Sequence, residues 1–375
     1  MNIGFEAKRV FHNKTGLGNY SRDLIRILSQ YSANNKYFLY NPKQSKENFF
    51  TTNESNVFEK KPKTPYYKKF YNLWRQKGIV ADLIQDEITL FHGLSGEIPM
   101  GLKQKNIKSI VTIHDLIFMH YPDLYSFFDR KIHYFKFKKA ATHADKIIAI
   151  SEQTKTDIVR FLKVDPAKVQ VIYQGCNAVF KEEYSSDEKT EVTNRYKLPK
   201  EFILNVGTIE ERKNALTIVK AIKNIDTTLV LVGKETKYSA AIKTYIAQNN
   251  ISHKVIFLKG LTSKDLAITY QLATVFVYPS IFEGFGIPII EALFSKVPVI
   301  TNKFGVFPEA GGPDSIYIDP SNAAELESEI KLLLNDANLR TTISKKGFEF
   351  VQQFNDDVIA DQMLTIYDNL SSNDR

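Results

Sequence analysis

Short runs of β-branched and aromatic residues alternate with helix-periodic stretches along nearly the whole of this 375-residue chain. That alternation is the signature of stacked βα units and parallel sheets, so an α/β fold is expected. In the first half strands are predicted at NIGFEA (2–7), KYFLY (36–40), TLFHG (89–93), KSIVTIH (108–114), KIIAIS (146–151) and VQVIY (169–173), with Ser151 capping a helix. The pattern then restarts, with strands predicted at FILNVG (202–207), TTLVLVG (227–233), KVIFLKG (254–260), TVFVYPS (274–280), VPVIT (297–301) and SIYID (315–319). Helices are predicted near 214–224, 238–249, 263–272, 287–295 and 321–334, the third opened by a capping-box pattern at Thr262 and Asp265.

The chain is too long for one ordinary core and suits two domains, each with its own doubly wound sheet. The polar stretch CNAVFKEEYSSDEKTEVTNRYKLPKE (176–201) lacks strand periodicity, which puts the boundary near 180–200. The expected domains are 1–180 and 181–354, with a final helix over 355–375 crossing back to the first.

A formal net charge of +8 favours anionic partners such as nucleotides or anionic lipid surfaces. Between 60 and 77, seven basic residues interleave with Tyr66, Tyr67, Phe70, Tyr71 and Trp74. Such a mixture suits either peripheral contact with an anionic membrane or a surface helix whose aromatic stripe packs inward. No apolar run reaches the length of a membrane-spanning helix. The N-terminus lacks a secretory layout, and Cys176 is the only cysteine, so a cytoplasmic location is the expectation, with the inner membrane face as one place within it.

In open parallel sheets ligands bind beyond the carboxyl ends of the strands, so the loops there carry the chemistry. SIFEGFGIPIIEAL (280–293) sets Glu283 and Glu291 on either side of Gly284, Gly286 and Pro288. The glycines uncover backbone amides and the helix from about 287 turns its positive end toward them, an anion site. Glu291, expected in that helix's first turn, is suited to accept two hydrogen bonds from a ribose diol. VGTIEERKN (206–214) places Arg212 and Lys213 where two cations can hold a diphosphate. VTIHDLIF ends a strand at His114 and Asp115, where the imidazole is positioned to donate to a sugar hydroxyl with Asp115 orienting it. KTGLGNYS offers Gly16 and Gly18 to a phosphate or sugar. It departs from the dinucleotide fingerprint at Ser21 and lacks the acidic residue of a second strand end, which argues against a dehydrogenase. No Cys/His cluster and no Asp-X-Asp motif is present, so no metal and no cofactor are expected.

Together TGLGNYS, TIHDLIF, IIAISEQTKTDI, VGTIEERKN and above all YPSIFEGFGIPIIEAL, followed by PVIT and FPEAGG, resemble the retaining glycosyltransferase family 4, or group 1, over essentially the full chain. The resemblance implies the GT-B fold of two facing Rossmann-like domains. It implies that Glu291 binds the ribose and Glu283 the donor sugar, that the backbone of Phe285, Gly286 and Ile287 lies near sugar and phosphates, and that Arg212 and Lys213 neutralise the diphosphate. His114 matches the family's histidine near the reaction centre, and Gly16 and Gly18 its first-domain loop. Thr208 stands after Gly207, where many members have arginine. The implied reaction moves a hexose, mannose or glucose by family habit, from a nucleoside diphosphate sugar to a glycan or lipid-linked acceptor with retention, the leaving phosphate helping to deprotonate the acceptor. Nucleic acid is not expected as a partner. The competing readings are a sugar-nucleotide epimerase of the same fold and a non-catalytic basic module.

Overall fold

The computed structural model describes residues 1–45 and 49–372. It divides into two compact units, Met1–Gly175 together with the chain from Phe354 onward, and Cys176–Gln353. The first holds seven parallel strands: β1 Asn2–Glu6, β2 Lys36–Tyr40, β3 Val57–Lys60, β4 Leu90–Gly93, β5 Lys108–Ile113, β6 Lys146–Ala149 and β7 Val169–Val171. Their order is β3-β2-β1-β4-β5-β6-β7. The second unit holds six: β8 Phe202–Val206, β9 Thr228–Val232, β10 Val255–Leu258, β11 Val275–Tyr278, β12 Val299–Asn302 and β13 Ile316–Ile318, in the order β10-β9-β8-β11-β12-β13.

Central strands such as FILNV are buried along their whole length, as a parallel sheet covered on both faces requires. All twelve expected strands form, and β3 is additional. It lies at the sheet edge, and its sequence VFEK leaves Phe58 and Glu59 exposed, so it carries no apolar alternation to betray it. Strand order reverses between β1 and β4 in one sheet and between β8 and β11 in the other. The carboxyl ends at those two points open the crevices in which doubly wound sheets bind ligands.

The helix Asp356–Ser372 returns to the first unit. Ile359, Met363, Ile366 and Tyr367 form its apolar face and share one core with Leu24, Ile25 and Leu28 of the helix Gly16–Tyr31. Arg26 pairs with Asp356 at 2.8 Å beside them.

The chain leaves the first unit after Gly175, ahead of the expected 180–200, because the polar stretch folds as part of the second unit. Phe180 packs edge-on against Tyr270, with ring centroids 5.6 Å apart. Arg195 and Tyr196 both bond Asp265, at 2.9 and 2.8 Å. That engagement undoes half of the expected cap. Thr262 accepts the Asp265 amide at 3.0 Å, but the Asp265 carboxylate turns to Arg195 and Tyr196 instead of back to its own helix. The reciprocal box forms at Ser185 and Glu188.

Candidate functional site

The loops after β8 and β11 flank the switch point of the second sheet, and they meet. A short turn Glu211–Lys213 ends at Asn214, whose φ of 58° is left-handed. The Arg212 carbonyl accepts the Ile281 amide at 2.9 Å and the Ser280 hydroxyl at 3.2 Å, which fixes one loop to the other. Glu283 Oε1 lies 2.5 Å from Lys213 Nζ, 2.9 Å from an Arg212 nitrogen and 2.7 Å from the Ser280 hydroxyl. Tyr278, the last residue of β11, donates its hydroxyl to the same oxygen at 3.0 Å and receives Lys213 Nζ at 2.5 Å.

Burial alone would raise the Glu283 pKa, but Lys213 and Arg212 outweigh it and hold the carboxyl below its usual range. Burial and the Glu283 charge push the Tyr278 phenol well above its ordinary value, so it stays protonated and must be the donor. A second acid, Glu210, takes the far side of the Arg212 guanidinium at 2.7 Å. Two cations and two carboxylates therefore balance locally, an arrangement in which an incoming diphosphate can exchange with carboxylate oxygens.

After Glu283 the chain turns sharply. Gly286 has φ +131°, and a Cβ there would lie 3.2 Å from Ala310 and 3.3 Å from Ile289, so glycine is required. Phe285 is buried, and Ile287 opens the helix Ile287–Phe294 with Pro288 second. Glu291 is the fifth residue of that helix, in its second turn and not its first as expected. It does not sit at the positive helix end. The buried Tyr270 donates to Glu291 Oε2 at 3.0 Å. Burial raises the Glu291 pKa to about 7, the Tyr270 bond pulling partly against it.

In the first unit His114 follows β5 and is buried, its ring 4.6 Å from that of Tyr20 in an edge-to-face contact. Nε2 lies 2.9 Å from the Leu94 carbonyl, which can only accept, so the proton resides on Nε2. Burial lowers the pKa to about 4, with the Leu94 bond opposing and Arg9 assisting. The neutral ring thus presents Nδ1 as an acceptor, which corrects the expectation of a donor. Asp115 Oδ1 accepts the Ile117 amide at 3.0 Å, and the Leu94 carbonyl holds the imidazole through Nε2.

Gly16 and Gly18 separate in role. A Cβ at Gly18 would fall 2.0 Å from the Asn13 carbonyl oxygen, whereas one at Gly16 meets nothing within 4 Å. The Gly18 amide is engaged by the Thr15 carbonyl at 2.9 Å and by Asn13 Oδ1 at 3.2 Å. Gly18 serves close packing, and only Gly16 keeps space for a ligand. The sequence reading overlooked Glu210, Tyr270, Tyr278 and Ser280. Tyr278 and Ser280 lie within the run TVFVYPS read as a strand, so only their place at its carboxyl end marked them, and the bond from Tyr270 to Glu291 depends on how two helices pack.

Two family models match adjacent parts of the chain: Glycosyltransferase Family 4 over residues 15–179, and Glycosyl transferases group 1 over residues 186–350. The chain belongs to this glycosyltransferase family. Among similar proteins, the O-antigen chain mannosyltransferase RfbU of Salmonella typhimurium is 30% identical over 223 residues, a match that spans 59% of this chain and 59% of that protein. The O-antigen chain mannosyltransferase B of Escherichia coli is 22% identical, with 98% of this chain and 99% of that one covered. The solved sucrose-phosphate synthase of Thermosynechococcus elongatus superposes with a TM-score of 0.79 at 22% identity, over 99% of each chain. The architecture is thus that of the GT-B glycosyltransferases.

Proposed function

We propose that the protein transfers a hexosyl group, mannosyl being favoured, from a nucleoside diphosphate sugar to a glycan or lipid-linked acceptor in the assembly of a cell-surface polysaccharide. The observation that carries this reading is the cluster at the β8 and β11 switch point, where Lys213 and Arg212 meet Glu283 at 2.5 and 2.9 Å beside the glycine turn. The two O-antigen mannosyltransferases among its relatives support the choice of sugar and acceptor class.

In this reading the ionised Glu291 accepts both ribose hydroxyls, and the backbone of Phe285, Gly286 and Ile287 lies along the phosphates and sugar. Arg212 and Lys213 carry the diphosphate charge that a metal carries in other transferases, so the reaction is metal-independent and needs no further cofactor. Glu283 orients the sugar through the oxygen that the four surrounding donors leave open. Transfer retains configuration: the bond from the anomeric carbon to the diphosphate breaks as the acceptor oxygen bonds to the same face, and the acceptor's proton passes to the departing phosphate. Lys213 stabilises the charge that develops there. In the first unit, His114 Nδ1 accepts from a sugar hydroxyl and Gly16 leaves its backbone open to a phosphate.

The test is calorimetric titration with UDP, GDP and NAD, beside Glu291→Ala. Binding of one diphosphate, weakened about 10- to 100-fold in the variant, is expected from the loss of charged hydrogen bonds. Binding of NAD alone, or of neither diphosphate, would overturn the reading.

A further inference from the structure

The helix Phe127–His143 has two apolar faces where a surface helix needs one. Its inner face, with Phe137, Ala140 and Ala141, packs into the core around Phe118. On the outer face Phe128, Ile132 and Phe135 are 75%, 52% and 65% exposed. Their spacing of four and three residues aligns them in one row. Lys131, Lys136 and Lys139 are exposed beside that row, and the helix carries five basic residues against one acid, Asp129.

A second exposed apolar group lies in the segment 60–77, where the helix Pro65–Lys69 breaks at Phe70 before the turn Tyr71–Leu73. Trp74 packs inward and donates its indole proton to Asp82 at 2.6 Å, while Tyr66, Phe70 and Leu73 remain exposed. Both segments hold the loop between β4 and β5. Glu97 pairs with Lys136 and with Arg75, each at 3.2 Å. Met100 bonds the Gln76 carbonyl through its amide at 2.8 Å and meets the Lys139 ammonium at its sulfur.

We propose that the outer row of the Phe127–His143 helix, assisted by Tyr66, Phe70 and Leu73, docks on an anionic lipid bilayer. The phenyl and isoleucine side chains enter the boundary between headgroups and acyl chains, and the lysine stems reach back to the lipid phosphates. A second copy of this chain would set one basic helix against another. A nucleic acid would satisfy the lysines but leave the Phe-Ile-Phe row in water. An anionic bilayer satisfies both. The docking requires neither donor nor acceptor, so it stands or falls apart from the transferase reading.

The test is flotation with vesicles of phosphatidylcholine alone and of phosphatidylcholine containing phosphatidylglycerol. The chain is expected to float with the anionic vesicles, less at high salt, and to bind the neutral ones weakly. Phe128→Ser with Ile132→Ser and Phe135→Ser should lower partitioning at least about tenfold, with diphosphate binding and thermal midpoint unchanged because all three side chains face solvent. Should that variant fold poorly, Lys131→Gln with Lys139→Gln decides, with a loss of about thirtyfold at about 1 kcal/mol for each cation. Failure of the unaltered chain to float, equal binding to neutral vesicles, or undiminished flotation of the folded variants would overturn the proposal. So would a dimer in sedimentation that the triple variant dissolves while vesicles capture neither. A loss confined to Tyr66→Ser with Phe70→Ser and Leu73→Ser would overturn the assignment to the Phe127–His143 helix.

Discussion

Single residues around the β8 and β11 loops differ in what their removal should cost. Lys213→Ala leaves Glu283 with Arg212, Ser280 and Tyr278 as partners, so no buried charge is stranded and stability should fall by only about 1–3 kcal/mol. Turnover should fall about 10²- to 10³-fold, the usual cost of one donor aimed at developing charge. Steady-state kinetics beside a thermal melt checks this, and a well-folded variant with normal kcat would remove Lys213 from the mechanism. Glu291 makes a separate prediction through pH. Its folded pKa, about 7, lies above the ordinary 4.5 because burial disfavours the charge. The fold therefore favours the protonated acid: the penalty is absent below the unfolded pKa, grows as pH rises toward 7, and is complete above it at roughly 3 kcal/mol. A ribose diol donates two protons and needs the ionised carboxylate. Diphosphate affinity should thus weaken about tenfold for each pH unit below 7, and binding at pH 7 should release about half a proton. Glu291→Gln should keep only the pH dependence of the diphosphate itself. Parallel titration curves for the two proteins would show that Glu291 does not titrate on binding.

Among the elements, legibility followed burial. Strands such as β8 and β9 announce themselves because apolar residues run unbroken where both faces are covered. The edge strand β3 presents Phe58 and Glu59 to solvent and looks like loop. Of the site, Arg212, Lys213 and Glu283 were legible because they follow strands at predictable places. The ion cluster joining them was not, since it pairs residues some 70 positions apart. The cap at Thr262 was half legible: an aspartate and a glutamate read alike in a motif, but a partner from elsewhere in the chain claimed Asp265. The two glycines of TGLGNYS give a test of the same distinction between pattern and packing. Gly16→Ala places its Cβ in open space at the start of a helix, so stability should be kept or raised by about 0.4–1 kcal/mol. Gly18→Ala drives a Cβ to 2.0 Å from the Asn13 carbonyl oxygen, which forces the helix start to shift and should cost about 1–3 kcal/mol. Denaturant melts of the two variants check this, and equal midpoints would mean that the turn before the helix yields freely.

At the scale of the molecule, the chain builds one unit and then a second, and returns to finish the first. The residues after Gln353 contribute Ile359, Met363, Ile366 and Tyr367 to the core of the first unit, all buried. At about 1.5–3 kcal/mol for each large apolar side chain, these four supply roughly 6–12 kcal/mol, comparable to the whole stability of an ordinary domain. Tyr367 also closes a polar chain through the core: its hydroxyl meets His92 Nδ1 at 2.7 Å, and His92 Nε2 meets the Thr112 hydroxyl at 2.8 Å. Burial lowers the His92 pKa to about 3, so the imidazole stays neutral and needs partners on both nitrogens. A chain ending at Gln353 should therefore fail to fold its first unit. The second unit is complete by that point and contains Arg212, Lys213, Glu283 and Glu291, so it should still bind a nucleoside diphosphate within a few-fold of the full chain. Limited proteolysis would cleave within residues 1–175 and spare 176–353. The milder Met363→Ala, expected to cost about 2–5 kcal/mol, should lower the melting of the first unit and leave diphosphate affinity as it was. If instead the shortened chain loses the nucleotide while residues 176–353 stay protected, then Arg212, Lys213 and Glu291 do not suffice to hold the diphosphate, and the assignment of its affinity to the β8 and β11 loops falls.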